Sequence, residues 1–482
     1  MWCHGEVRQY VAAFTACFSV LVSGSCFGWV TPILGLLLSP GSPIPMTQAQ
    51  SSWMVAIIEV GNVLSPIPSS FLADRWGRRP SILLTGPLYF LSWLIVIAWP
   101  SIQALYFARL LQGVAMGIVF TVVPLYLSEI ASPSIRGSIS SMFHNCWYLG
   151  HLIEYCIGPF LSYHMYTYVT AALPVIAVAI FWNQPETPYY LLMRRNEPAA
   201  AAALARLRGR SNTNAVNKEL QIMIQSVTAD VTNKASWRDI VSTSADRRAL
   251  YIVIGLGIIR VLNGLIALMT YPTQTFSQIH ALNSDNSTKI VAPNNMTILF
   301  GVVLFISSFF VTIIADLSGR RQLLMFSCIG AGVNLFLAGC YFYLDTQTVV
   351  DVTHYSWFPV AVIVVFSLFV SLGVSPVSVM YQSEMFLSNT RGFASSISAI
   401  NLTLNAFFVL KFYLVITDAL GLFSVFWMFA TVCFFGSFWI YFTVPETKGK
   451  TFAEIRQELN ASLQKNGKPL DIPTIEISDV HL

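Results

Sequence analysis

Two carboxylates in this chain each stand seven residues before an Arg-Gly pair: Glu129 before Arg136 in SEIASPSIRG (128–137), and Glu384 before Arg391 in SEMFLSNTRG (383–392). Two arginine doublets match in the same way. Arg78 and Arg79 close ADRWGRR (73–79), and Arg320 and Arg321 close ADLSGRR (315–321), each after an aspartate, Asp74 or Asp316. A third pair, PETPYYL (185–191) and PETKGKT (445–451), supplies Glu186 and Glu446. Guanidinium and carboxylate groups at close range make strong, often bidentate hydrogen bonds. Glu129 and Glu384 can accept from Arg136, from Arg391 or from the arginine doublets. The chemistry is that of a latch between helix ends, wetted in one conformation and dry in another. Arg260 raises a different question, because it stands inside the apolar run GIIRVLNGLIALMTY (257–271). A guanidinium at the centre of a membrane span costs at least about 3 kcal/mol, so it needs a cavity or a partner.

The elements that must position these groups are membrane spans. The chain has 482 residues, of which 55% are hydrophobic and only 10% charged, against about 25% charged in soluble domains. Apolar windows of about 20 residues fall at 10–38, 51–72, 81–99, 102–127, 138–161, 167–184, 248–278, 297–315, 322–343, 357–386, 393–415 and 421–443. The first is too long for a signal-peptide core, so no cleavable leader is expected. The expectation is an all-α membrane protein of twelve helices in two six-helix halves, with a helical cytoplasmic segment between them. The corresponding division is 1–191, 192–247, 248–447 and a tail at 448–482.

Of the 27 lysines and arginines, 23 fall in segments on one side if both termini share it. The others are Lys289, outside, and Arg109, Arg260 and Lys411, within spans. By the positive-inside rule that side is cytoplasmic. The sequons at Asn286 and Asn295 then fall in an outer loop, as candidate glycosylation sites of a plasma-membrane protein. The eight cysteines mostly lie within apolar runs and suggest no disulfide framework. No hydrolytic triad, phosphate-cradling loop or metal-ligand spacing appears, and GVAMG (113–117) reads as helix packing. No enzyme, cofactor, metal or nucleic-acid partner is expected. The three matched motifs imply a duplicated six-span unit, which places a solute site near the midplane, between halves that rock.

On these motifs the chain resembles the sugar porters of the major facilitator superfamily over nearly its whole length. ARLLQGVAMG (108–117), PLYLSEI (124–130) and PETKGKTFAEI (445–455) are similar to the family's signatures, and SGSCFGWVTPIL (23–34) is similar to insect facilitated trehalose and glucose transporters. The resemblance implies alternating access for a small sugar or polyol, by a chain working as a monomer in the bilayer. It also shows where this chain departs. The span-7 glutamine pair of the family is replaced by Arg260 and Val261, with Gly264 and Tyr271 retained; the span-5 glutamine falls on His144, and the span-10 tryptophan on Val379. Proton-coupled members carry an acid in span 1 where Val30 stands here, which favours facilitated diffusion.

Substitute pocket residues on this reading are His144, Asn263, Tyr381 and Gln382, with Trp147 and Tyr271 as stacking faces and Gly264 at the pocket. Arg260 has three readings: a cavity residue for a polyol or anion, an ion pair with Glu59 or Glu154, or a relic that locks a chain that no longer transports.

Overall fold

The computed structural model describes residues 4–132, 134–209, 214–232, 237–281, 292–317, 319–350, 352–355, 357–386, 388–448, 450 and 454–459. The described residues contain helices and no strands. Ten helices are long and apolar enough to cross a membrane, and a bent pair, Gln48–Leu64 and Pro66–Trp76, makes an eleventh span. The twelfth is Arg136–Ile157. It falls short on apolarity because it carries His144, Asn145, His151 and Glu154. A span this polar is stable only with those groups turned to the bundle interior.

In chain order, the first six spans are His4–Gly28 with Val30–Leu37, the bent pair, Arg78–Ala98, Ile102–Ile130, Arg136–Ile157 and Tyr163–Phe181. The last six are Ser244–Leu262 continuing through Leu265–Thr270 and Pro272–Ala281, then Pro293–Leu317, Arg320–Gln347, Trp357–Glu384, Ser388–Leu420 and Leu422–Thr443. The helices Glu197–Arg208 and Asn214–Thr232 lie between the halves in sequence. Arg208 ties the first of these to span 4, donating to the Ile130 carbonyl at 2.9 Å while pairing with Glu219 at 2.6 Å.

Four of the predicted spans are interrupted, the first only at Trp29, between His4–Gly28 and Val30–Leu37. Span 2 bends by 47° before Pro66, where proline removes a ladder donor. Span 10 loosens into a π-turn at Val370–Val374, and the Ser327 hydroxyl donates to the Phe369 carbonyl (2.6 Å) and accepts from the Val374 amide (3.0 Å). Span 7 breaks at Asn263–Gly264, where Gly264 adopts φ +90°. The left-handed region favours glycine, and the Asn263 side chain caps the next turn by accepting from the Leu265 amide at 2.9 Å.

Close helix approach rests on small residues. Gly113 and Gly117 of span 4 face Gly61 and Ser65 of span 2, so GVAMG is a packing stripe. Across the two halves, span 2 packs on span 11 and span 5 on span 8. Hydrogen bonds join the halves at the end of the bundle away from the arginine motifs. The Thr31 hydroxyl donates to the Thr270 carbonyl at 2.9 Å, the Tyr155 hydroxyl donates to the Met269 carbonyl, and Lys411 Nζ donates to Ser52 Oγ at 2.8 Å. The bundle is closed at this far end.

Candidate functional site

The duplicated motifs meet at the basic end in two copies, one per half. In the first, Arg78 follows Gly77 at the start of span 3 and is almost wholly buried. Its Nε and Nη2 donate to Glu129 Oε1 at 3.1 and 2.9 Å, and its Nη1 reaches Asp74 at 3.3 Å. The second Glu129 oxygen accepts from the Thr187 hydroxyl at 2.5 Å. Glu186 takes the backbone amides of Arg78, Arg79 and Thr187, so it caps span 3 at its electropositive N-terminus. Burial pushes the Glu186 carboxyl above its ordinary range, while these amides and Arg78 pull it back. Arg79 donates to the Trp182 carbonyl at 2.5 Å.

The second copy repeats the plan. Arg320 pairs with Glu384 at 2.8 Å, Glu446 accepts from the amides of Arg320 and Arg321 at 3.0 Å, and Arg321 donates to the Tyr441 carbonyl. Thr447 faces Glu384 as Thr187 faces Glu129, but the Thr447 hydroxyl and Glu384 Oε2 stop short of a hydrogen bond. Each copy stitches helix ends within its own half. Arg136 stays exposed and makes no ion pair among the described residues, so the partner of Glu129 is Arg78. The side chains of Asp316 and Arg391 lie outside the described residues.

The pocket candidates divide. Arg260 lies about 18 Å along span 7 from Arg248 at 1.5 Å per residue, three residues before the helix break. His144 and Tyr148 of span 5 lie near it, and Tyr148 also faces Ser371 in the span-10 π-turn. Neither Glu59 nor Glu154 pairs with Arg260. Glu154 accepts from Ser25 and Thr170, and Glu59 accepts from Asn62 at 3.1 Å. Asn263 is fully buried and its Nδ2 has no partner. Gln112 Nε2, Asn145 Oδ1 and His151 Nε2 are similarly orphaned. Trp147 sits against Phe120 at 5.1 Å and His151 at 4.7 Å, half-buried. Tyr271 is stacked on Tyr413 at 4.9 Å, and its hydroxyl donates to the Leu410 carbonyl at 3.0 Å.

Tyr381 and Gln382 lie elsewhere. The Tyr381 hydroxyl donates to the Pro445 carbonyl at 2.8 Å, as Tyr126 does to Pro185 at 3.0 Å. Each tyrosine precedes its glutamate by three residues, so the repeat itself marks Tyr381 as part of the basic-end network. Gln382 follows it in the last turn of that helix. Thr187 and Thr447 went unnoticed although both stand in the duplicated Pro-Glu-Thr. The Lys411 contact to span 2 had no signal in the sequence. Lys411 also stands over the Trp53 ring, 4.4 Å from its centroid, a contact worth about 1 kcal/mol. Lys411→Met should therefore loosen the far end. In a Thr31→Cys background, the rate at which a membrane-impermeant thiol reagent reaches that position should rise several-fold on Lys411→Met, and an unchanged rate would remove Lys411 from the closure.

The chain matches the family model described as Sugar (and other) transporter over residues 10–459 and belongs to that family. It is 29% identical to the facilitated trehalose transporter Tret1 of Drosophila willistoni over 472 residues, covering 96% of this chain and 53% of that one. It is 28% identical to Tret1 of Bombyx mori over 458 residues, covering 95% and 88% respectively. The chain thus spans about half the length of the Drosophila relatives it matches. Its backbone is similar to the proton:xylose symporter XylE bound to 6-bromo-6-deoxy-D-glucose, with TM-score 0.75 at 18% identity over 95% of this chain and all of the other. It is equally similar to the inward open conformation of XylE from E. coli, with TM-score 0.75 over 93% of this chain and 99% of that one. The fold is that of the major facilitator superfamily, and the chain is a multi-pass membrane protein.

Proposed function

We propose that this chain carries a sugar across the plasma membrane by facilitated diffusion with alternating access. The observation that supports it best is the set of orphaned buried polar groups on spans 4, 5 and 7. A buried polar group without a partner costs about 1–3 kcal/mol, and a hydroxyl-rich solute would supply what these groups lack. The halves 1–191 and 248–447 rock against each other, each held rigid by its own Arg-Glu network, with 192–247 and the tail 448–482 on the cytoplasmic side. Val30 at the place of the coupling acid favours uniport, and the working unit is a monomer. Saturable uptake of labelled glucose or trehalose into proteoliposomes, indifferent to a protonophore, is the expected result. Uptake that collapses with the proton gradient would overturn the uniport reading, and no uptake of any sugar would overturn the carrier reading.

The basic end faces the cytoplasm on the charge asymmetry, which puts Asn286 and Asn295 outside. Asn286 lies outside the described residues, and Asn295 is exposed in the first turn of span 8. Endoglycosidase should raise the mobility of the protein made in animal cells. Asn286→Gln should remove more of that shift than Asn295→Gln, whose site hugs the membrane. A mobility unchanged by the enzyme would speak against an outer loop at 282–291.

A further inference from the structure

We propose that Arg260 is the anion-binding group of the central site and that the site takes a sugar acid, a sugar-sized polyol with one carboxylate. This rests on the transport reading above and names its substrate class.

The charge arithmetic of the spans carries the argument. Arg109 donates to the Cys26 and Met54 carbonyls at 2.5 and 3.4 Å and to Gln112 Oε1 at 3.1 Å. Glu59 and Glu154 are held by Asn62 and by Ser25 with Thr170. Lys411 is held by Ser52 and Trp53. Arg260 alone among these intramembrane charges makes no hydrogen bond and no ion pair within the described residues. The titratable groups that face it are His144 and Tyr148, both on span 5 of the opposite half. No carboxylate is among them. A guanidinium at this depth without a counter-charge is unfavourable, and a bound anion would remove the penalty in the loaded state only.

One guanidinium balances one negative charge. A phosphate ester carrying nearly two charges would leave one of them without a counter-charge beside the single guanidinium, so a monocarboxylate fits better. A bare small carboxylate is insufficient too. Gln112 Nε2, Asn145 Oδ1, His151 Nε2 and Asn263 Nδ2 remain orphaned on spans 4, 5 and 7, and hydroxyls offer both donor and acceptor to such a mixed set.

The test uses the full chain in proteoliposomes with labelled glucuronate, glucose and lactate, beside heat-stability measurements on the purified protein. Saturable glucuronate uptake, faster under an inside-positive potential and well above glucose, is expected. Arg260→Gln should lower it about 10- to 100-fold and improve glucose uptake. The variant should be at least as heat-stable as the parent, because it removes an unpaired charge. Marked destabilisation would instead mean that Arg260 is structurally paired, and would overturn the proposal. Glucose uptake equal to or above glucuronate would overturn the sugar-acid assignment and leave the carrier reading standing. Lactate moving as well as glucuronate would overturn the hydroxylated frame. Glucuronate that stabilises the parent but not Arg260→Gln, with no uptake, would keep the binding site and sink the carrier reading. Neither stabilisation nor uptake would overturn both.

Discussion

Glu129→Ala should cost the protein about 3–5 kcal/mol of stability and most of its uptake, because it leaves the Arg78 guanidinium buried without its carboxylate. The Arg78 side chain is 5% exposed and that of Glu129 10%, so water cannot replace the lost partner. The Thr187 hydroxyl loses its acceptor in the same step. Glu384→Ala removes the repeat mate, but there the side chains of Arg320 and Glu384 are 18% and 25% exposed. Solvent screens such a pair. The second substitution should therefore cost clearly less than the first. Heat stability of both purified variants, read beside uptake, checks the order. Equal losses would mean that the two halves depend on their networks alike, and that burial does not set the difference. Arg78→Ala combined with Glu129→Ala should recover part of the single-variant loss, since neither charge is then stranded.

Gly264→Ala is expected to damage the central site more than its size suggests. At φ +90° any residue with a Cβ carries a strain of about 1–2 kcal/mol. The added methyl would also press into the Phe429 ring, which is itself buried, and overpacking of this kind costs about 1–3 kcal/mol. The cheapest relief is to straighten span 7 through the break. That would rotate Arg260 away from span 5 and release the Met269 and Thr270 carbonyls that Tyr155 and Thr31 hold. Uptake should fall at least about tenfold, matching a barrier or binding change of 1.4 kcal/mol. Gly264→Ala with Phe429→Leu should regain only the part due to crowding. Full recovery in the double variant would show that the left-handed turn is dispensable.

How much of this was legible in the sequence depends on which force wrote it. The spans follow from apolar runs of bilayer length, and the two-fold plan from three motifs that recur in order. Those motifs also predicted that Arg78, Arg320, Glu129, Glu384, Glu186 and Glu446 would meet at one end. The particular partners did not follow from spacing. Arg136 is seven residues from Glu129 and stays exposed, whereas Arg78, on another helix, makes the pair. Tyr381 was misplaced in the pocket by its position along span 10, although its match to Tyr126 already put it beside Pro445.

The sequence by itself determined that this is a membrane-spanning, internally duplicated chain with basic motifs on one side, because hydropathy, charge asymmetry and repetition are properties of linear order. Only the tertiary structure decided which charges are satisfied. Glu59 and Glu154 are taken by neighbours on their own half, Lys411 by Ser52 across the far end, and Arg260 by nothing among the described residues. Pairing depends on which helix faces stand opposite each other after packing, and an apolar run carries no record of the face its neighbour presents.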